Sequence, residues 1–212
     1  MSTVSKRWSA ILALTCLILI GCAVLALSTC ARPVAPSRAR DPRWAQPLER
    51  PGLPNLHKVS DGLYRGAQPT AEGFRQLQAM GIRTVVNLRS FHSDRDEMGE
   101  ADLQYEHITM KAWHAEDEDV VRFLQIVSDP DRTPVFVHCQ HGADRTGVIV
   151  AAYRIALQGW TVDDAVEEMV LGGYGFHELW RDSLPGYMRG LDFAQLKRQA
   201  GLSDEPAPAG EE

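Results

Sequence analysis

Residues 138–147 read His-Cys-Gln-His-Gly-Ala-Asp-Arg-Thr-Gly, directly after an apolar run that ends at Val137. Cys139 and Arg145 are thereby separated by five residues, in a strand–loop–helix setting. Backbone N–H groups in such a loop converge on a phosphate, and the helix N-terminus behind them adds partial positive charge. Gly142 supplies a residue free to take φ > 0. The field that binds a phosphate dianion also stabilises a thiolate, and cysteine pKa values at helix N-termini fall from about 8.5 to roughly 3.5–7.5. Cys139 is expected to be an ionised nucleophile at neutral pH.

Arg145 offers a planar fork that holds two phosphate oxygens at once, a geometry lysine lacks. Thr146 is placed to donate its hydroxyl to the Cys139 sulfur and improve the thiolate as a leaving group. Attack on phosphorus, a covalent phosphoenzyme and hydrolysis by water form a two-step route that needs no metal and no cofactor. The residues between, Gln140, His141, Gly142, Ala143 and Asp144, are expected to line the phosphate.

The rest of the chain must position this loop. Val59 to Arg65 carries an Asp61-Gly62 turn signal between apolar residues and predicts a hairpin. Thr70 caps a helix through Met80 with Gly81 as its stop. Ile82–Leu88 predicts a buried strand, 89–102 an irregular polar stretch and Tyr105–Met110 a second strand. Glu116 to Asp119 open a helix through Ser128, where negative charge suits the N-terminal dipole. Val135–Val137 is a short strand and Thr146–Leu157 a helix. Thr161 caps a helix through Leu171, and Tyr187–Ala200 forms the last one. This alternation predicts an α/β fold with a mainly parallel central sheet covered by helices, and an active site at the strand carboxyl ends.

The loop resembles the HCxxGxxRTG signature of the cysteine-dependent tyrosine and dual-specificity phosphatases, matching it at His138, Cys139, Gly142, Arg145, Thr146 and Gly147. Residues 62–69, 81–89 and Ala152-Tyr153-Arg154 are similar to the compact bacterial branch of that family. The resemblance covers about residues 56–200 and implies the family fold and phosphomonoester hydrolysis through a phosphocysteine. It further implies that His138 supports the loop. Arg89, at a strand end, is expected to orient phosphate or loop, or to form a structural ion pair.

No Trp-Pro-Asp loop precedes the signature to supply a general acid, so the resemblance points to the connection Trp113-His114-Ala115-Glu116-Asp117-Glu118-Asp119. Asp117 is the first choice, with Glu116, Asp119 and His114 behind it; each carboxylate is also explained as a favourable helix start. Trp160, Trp180 and Phe176 read as packing residues. A metal module on His138, Cys139 and His141 lacks the second ligand pair that zinc sites recruit. A silent phosphate-binding module would not need both Cys139 and Arg145. The five loop residues include no lysine or arginine and do include Asp144. This favours a phosphotyrosine-type protein substrate over a small-molecule, lipid or inositol phosphate.

The 212 residues, 44% of them hydrophobic, suffice for one core. Residues 1–55 carry seven Lys/Arg against two Asp/Glu, leaving 15 against 26 for the remainder. So acidic a body lacks the positive field that nucleic-acid binding requires. Cys16, Cys22 and Cys30 lie in or beside an apolar run, so no disulfide framework exists in the body.

Ser9 to Leu27 is uncharged and, as a helix, about 28 Å long against a hydrocarbon core of about 30 Å. Behind a short basic tail (1–8) it reads as a signal anchor, with a lipoprotein box ending at Cys22 as the competing reading. A Pro/Arg-rich tether is expected over 28–55, the phosphatase domain over 56–203 and a frayed acidic tail over 204–212. Lys6 and Arg7 favour export of the domain to the periplasmic side of a bacterial inner membrane, while Arg32, Arg38, Arg40 and Arg43 pull toward a cytoplasmic one. Full-length protein is expected in the membrane fraction, and a C-terminal alkaline phosphatase fusion should be active. A C-terminal fluorescent fusion that glows while the phosphatase fusion stays silent would reverse the orientation.

Overall fold

The computed structural model describes residues 40–111 and 114–202. The predicted tail 1–8, the membrane segment 9–27, the first part of the tether and the tail 204–212 lie outside the described residues. No described helix is long and apolar enough to cross a membrane.

Six strands, β1 (Gln46–Pro47), β2 (His57–Lys58), β3 (Leu63–Gly66), β4 (Thr84–Asn87), β5 (Gln104–His107) and β6 (Val135–His138), form one sheet in the order β1-β2-β3-β6-β4-β5. The parallel arrangement expected from the sequence holds for β3, β6, β4 and β5. The sheet as a whole is mixed, because β1 and β2 add an antiparallel edge. The hairpin is β2–β3, with His57 opposite Arg65 and Lys58 opposite Tyr64.

β6 is central and buried on both faces, which is why it reads as an unbroken apolar run. Val135 and Val137 face the larger core with Leu63, Val86 and Ile149. Phe136 faces the other way, onto Val85, Phe74 and Leu77. The second face is covered by α1 (Ala71–Ala79), capped by the Thr70 side chain accepting from the Gly73 amide. The larger face is covered by α3 (Asp117–Ser128), α4 (Asp144–Gln158), α5 (Val162–Leu171), α6 (Ser183–Gly190) and α7 (Phe193–Gln199). A short α2 (Arg95–Met98) interrupts the stretch read as irregular, and a 3-10 turn spans Glu178–Trp180. Each fully buried Val, Leu or Phe contributes about 1.5–3 kcal/mol, so both layers are needed to hold the central strand.

Two boundaries differ from the sequence reading. The single helix expected over 187–200 is two, α6 and α7, because Leu191 and Asp192 turn the chain and Asp192 caps the second. The tether expected over 28–55 does not extend through its last sixteen residues: the domain begins by Arg40, not at residue 56. Trp44, Ala45 and Leu53 are buried, the Leu48 amide donates to Leu56, and Ala67 and Thr70 donate to the Pro54 and Gly52 carbonyls. Gly52 (φ +72) lies so close to α1 that a Cβ on Gly73 would meet its carbonyl oxygen at 2.2 Å. Prolines disfavour ladders, but an edge strand accepts one, and Pro47 sits on the edge.

The Arg40–Leu53 segment also closes a buried ion pair. Glu168 accepts from the Ala45 amide (2.7 Å) and from Arg154 Nε (2.8 Å) and Nη2 (3.0 Å), and Arg154 Nη2 also donates to the Arg43 carbonyl. Trp160 lies between Arg43 and Arg154, its ring centre 5.0 and 4.3 Å from the two guanidinium carbons. A chain beginning at Asn55 should therefore melt well below one that retains Arg40–Pro54. Trp44→Ala in the full chain should cost about 3 kcal/mol in denaturant unfolding; equal melting of the two chain lengths would return the segment to a tether.

Candidate active site

The loop leaves the centre of the sheet at His138 and runs straight into α4, which begins at Asp144, two residues earlier than predicted. Arg145 and Thr146 are thus in the first helical turn, whose amides have no intrahelical partner. Gly142 takes φ +69, and a Cβ there would meet the Gly66 carbonyl at 2.4 Å and the Ala67 nitrogen at 2.7 Å. Glycine is required twice, for conformation and for close approach.

For loop amides to face inward, the carbonyls must find donors outside, and each one does. The Leu88 amide donates to His138 O (2.9 Å), the Gln68 amide to Gln140 O (3.3 Å) and the Gly147 amide to Ala143 O (2.7 Å). His138 Nδ1 lies 3.2 Å from Cys139 O. Asn55 Nδ2 donates to His141 O and to Tyr174 O, both at 2.9 Å. Arg65 Nη2 donates to Gly142 O at 2.7 Å and reaches Ala143 O at 3.5 Å. Asn55 holds φ +55, a left-handed conformation that asparagine tolerates and most residues avoid.

Cys139 is buried at the base of this cup, with 3% of its surface exposed. Burial pushes its thiol up. The Thr146 hydroxyl, the Arg145 charge and the amides of Thr146 and His141 outweigh that, and the thiol lies below its ordinary value. Thr146 Oγ1 is buried without a hydrogen-bond partner, and its hydroxyl is among the groups that lower the Cys139 thiol. Arg145 Nη1 donates to Leu88 O (3.2 Å) and Met110 O (3.4 Å), which anchors its fork between the ends of β4 and β5.

Behind the loop lies a polar network. His138 Nε2 is 2.8 Å from Asp94 Oδ2, and both side chains are wholly buried. Asp94 Oδ1 accepts from Gln68 Nε2 (2.9 Å) and Asn87 Nδ2 (3.0 Å). Arg89 Nη1 donates to Gln68 Oε1 at 2.9 Å, so Arg89 joins this network through an amide. His138 and Arg89 are both members of this network. Asp94, Gln68, Asn55 and Arg65 were not singled out for the site from sequence: Arg65 and Gln68 lie within a matching motif, whereas Asp94 and Asn55 carry no local signal.

The five loop residues divide. Gly142 and Ala143 are built into the loop as described, Gln140 and His141 side chains are exposed, and Asp144 is turned to a different task. Its carboxylate accepts from the His177 amide (2.9 Å) and meets His177 Nδ1 at 2.7 Å. The His177 and His141 rings lie 5.3 Å apart. Asp144 therefore anchors the 172–182 segment beside the loop through hydrogen bonds to its carboxylate. Phe176 and Trp180 are partly buried against the larger core, in keeping with packing roles.

Of the acids after Met110, Glu116 caps α3 reciprocally with Asp119 and pairs with Lys111 Nζ (2.9 Å). The Lys111 hydrogen bond and charge hold Glu116 below the usual carboxylate range. Asp117 accepts from the Tyr187 hydroxyl at 3.1 Å. Asp119 is partly buried, and this raises its pKa despite the bond from the Glu116 amide. His114 bridges back to Lys111. Among the described residues no group of three or more His, Cys, Asp or Glu side chains is placed to hold a metal.

A buried thiol lowered by the His141 and Thr146 amides, with an arginine six residues on in the first turn of a helix, defines the site of a cysteine-dependent phosphatase. The comparisons agree. Residues 54–182 match a family model described as "DSP-PTPase phosphatase fused to NAD+ Kinase". The dual specificity protein phosphatase TpbA of Pseudomonas aeruginosa is 37% identical over 171 residues, 80% of this chain and 76% of that protein. A crystal structure of that phosphatase, as a cysteine-to-serine variant in complex with pTyr, superposes with a TM-score of 0.67 at 35% identity, covering 78% of this chain and 99% of the other. The catalytic core of the PP-IP phosphatase Siw14 of S. cerevisiae shares the fold at 20% identity and a TM-score of 0.60, over 70% and 93% of the two chains. The chain belongs to the dual-specificity branch of the protein tyrosine phosphatases and is a phosphoric monoester hydrolase.

Gly142→Ala should abolish tight vanadate binding while leaving a cooperative thermal melt, since the clash falls on the loop and on the Gly66–Ala67 turn. Vanadate affinity within threefold of wild type would mean that the loop conformation does not depend on this glycine.

Proposed function

We propose that this enzyme dephosphorylates phosphotyrosine in proteins through a phosphocysteine on Cys139. The observation that carries the mechanism is the buried, low-pKa Cys139 thiol beneath Arg145 in a loop whose carbonyls are all tied outward. The thiolate attacks phosphorus, an S–P bond forms as the P–O bond breaks, and the leaving phenolate takes a proton from a carboxylic acid. Water then attacks the phosphocysteine, the same carboxylate takes its proton, and phosphate leaves with return of the thiolate. Arg145 and the loop amides of Gln140 to Arg145 hold the equatorial oxygens, and Thr146 stabilises the departing sulfur.

For the acid we propose Asp117. The connection that carries it follows Met110, whose carbonyl Arg145 contacts, and the Tyr187 hydroxyl orients the Asp117 carboxylate. Glu116 is held ionised by Lys111, which suits it less to donate a proton. A phosphotyrosine substrate is supported by the absence of lysine and arginine between Cys139 and Arg145 and by the pTyr complex of the Pseudomonas relative. Asp144 weighs less against a polyanion than its place in the loop suggests, because its carboxylate is engaged by the amide and ring of His177. Inositol and lipid phosphates therefore belong in the same substrate profile as the competing class. The uncharged segment 9–27 would tether the enzyme to a membrane, with the periplasmic side as the proposed location.

Cys139→Ser should abolish turnover yet retain phosphate-analogue binding, and Arg145→Lys should weaken both; near wild-type hydrolysis by the serine variant would end the phosphocysteine mechanism. The rate should rise with pH through the Cys139 thiol, below the ordinary thiol range, and fall once the acid is deprotonated. Asp117→Asn should flatten that fall. It should slow phosphotyrosine-peptide hydrolysis by ~10²-fold or more, with far less effect on p-nitrophenyl phosphate, whose leaving group barely needs a proton. If Asp119→Asn or Glu116→Gln reproduced that leaving-group dependence instead, the acid would be reassigned to that residue.

A further inference from the structure

Arg65 is the largest wholly buried side chain of the domain, and its surroundings are unusual for a cation. Buried charges are ordinarily paired with an opposite charge, because an unpaired one is costly. Among the described residues the hydrogen-bond acceptors of Arg65 are two carbonyls of the phosphate loop, Gly142 O and Ala143 O. Its Nε and Nη1 are buried with no acceptor at all. The guanidinium carbon instead lies 3.7 Å from the centre of the Tyr174 ring, a close cation–π stack.

Tyr174 is itself fixed. Its hydroxyl donates to Glu168 Oε1 at 2.9 Å, its carbonyl accepts from Asn55, and His57 meets its ring edge-on at 4.8 Å. Arg40 approaches the same ring from 5.5 Å and donates to the Gly172 carbonyl. Glu168, the nearest carboxylate in this chain of contacts, is already shared by Arg154, the Ala45 amide and Tyr174. Among the described residues no carboxylate bonds Arg65 directly. Burial works against its charge; Tyr174, Glu168 and the Cys139 thiolate all work in favour of it, and Arg154 against.

We infer that Arg65 is a positioning residue of the phosphate site, a second arginine that acts from behind the loop as Arg145 acts from the front. By drawing the Gly142 and Ala143 carbonyls backward it turns the amides of the same peptide planes forward, and its charge is compensated by the anion in the cup: the thiolate, then the bound phosphate. Tyr174 keeps the guanidinium in plane and supplies the π face in place of a carboxylate that would cancel the field. The inference rests on the phosphocysteine reading of Cys139.

The test reads the thiol as well as turnover. In the full-length protein, alkylation of Cys139 by iodoacetate is followed as a function of pH, with the Cys139 peptide quantified by mass spectrometry so that Cys16, Cys22 and Cys30 do not contribute. Arg65→Met should move the alkylation midpoint up by about one pH unit or more and lower kcat/KM by about tenfold to hundredfold, with weaker vanadate binding. Arg65→Lys keeps the charge but not the fork, and should recover much of the midpoint while leaving kcat/KM depressed. If Arg65→Met fails to fold, Tyr174→Leu should shift the midpoint in the same direction, while Tyr174→Phe, which removes only the hydroxyl bond to Glu168, should leave it near the wild-type position. A folded Arg65→Met or Tyr174→Leu protein with the wild-type alkylation midpoint and vanadate affinity would overturn the inference and leave Arg65 a packing residue. Loss of the phosphatase reading shows separately, as a wild-type protein whose turnover survives Cys139→Ser.

Discussion

The site depends on one constraint: a peptide plane that presents its N–H to a phosphate presents its C=O to the protein, and that carbonyl needs a donor. Six successive carbonyls, from His138 to Ala143, would otherwise be buried or strained, at about 1–3 kcal/mol for each one left unsatisfied. Their partners come from six different places: the β4 end, the His138 ring, the β3–α1 turn, the Asn55 side chain, Arg65 and the start of α4. The anion-binding power of the loop is therefore a property of the whole domain, and the ten signature residues are only its visible part.

Two buried polar systems carry this constraint outward. One runs from His138 through Asp94 and Gln68 to Arg89, along the carboxyl edge of β4 and β6. The other runs from the loop through Arg65 and Tyr174 to Glu168, Arg154 and the Ala45 amide. Such networks gain from each member that is satisfied, because the low dielectric that strengthens each bond also raises the cost of an orphan. This explains why residues 40–54, rich in proline and read as a tether, are folded onto the domain. They supply the Ala45 amide that completes Glu168 and lead directly into Asn55, whose side chain bonds the loop.

The carboxylates after β5 show how environment separates residues that look alike in sequence. Glu116, Asp117 and Asp119 fall within four positions, yet one is held by a lysine and a reciprocal cap, one by a tyrosine hydroxyl and one by burial. Asp144 is a parallel case. In sequence it is a negative charge in a phosphate loop; in space its carboxylate is also the anchor of His177.

The nucleophile, the arginine, the glycine and the helix that follows were legible in residues 138–147 because local geometry makes them: a strand end, a positive φ and a helix N-terminus are set by neighbours in the chain. The same holds for the Thr70 and Thr161 caps and for the burial of β4 and β6, which follow from short-range propensity and apolar patterning. Tertiary structure alone decided what stands behind the loop. Asn55, Arg65, Asp94 and His177 lie 33 to 86 residues from their loop partners in sequence. No periodicity or spacing encodes a hydrogen bond of that separation, which exists only once the sheet order has brought β3 and β4 to either side of β6. The segment over 40–54 was misread for the same reason: proline content predicts the absence of helix and interior strand, but it does not predict whether an extended chain finds a surface that needs its amides.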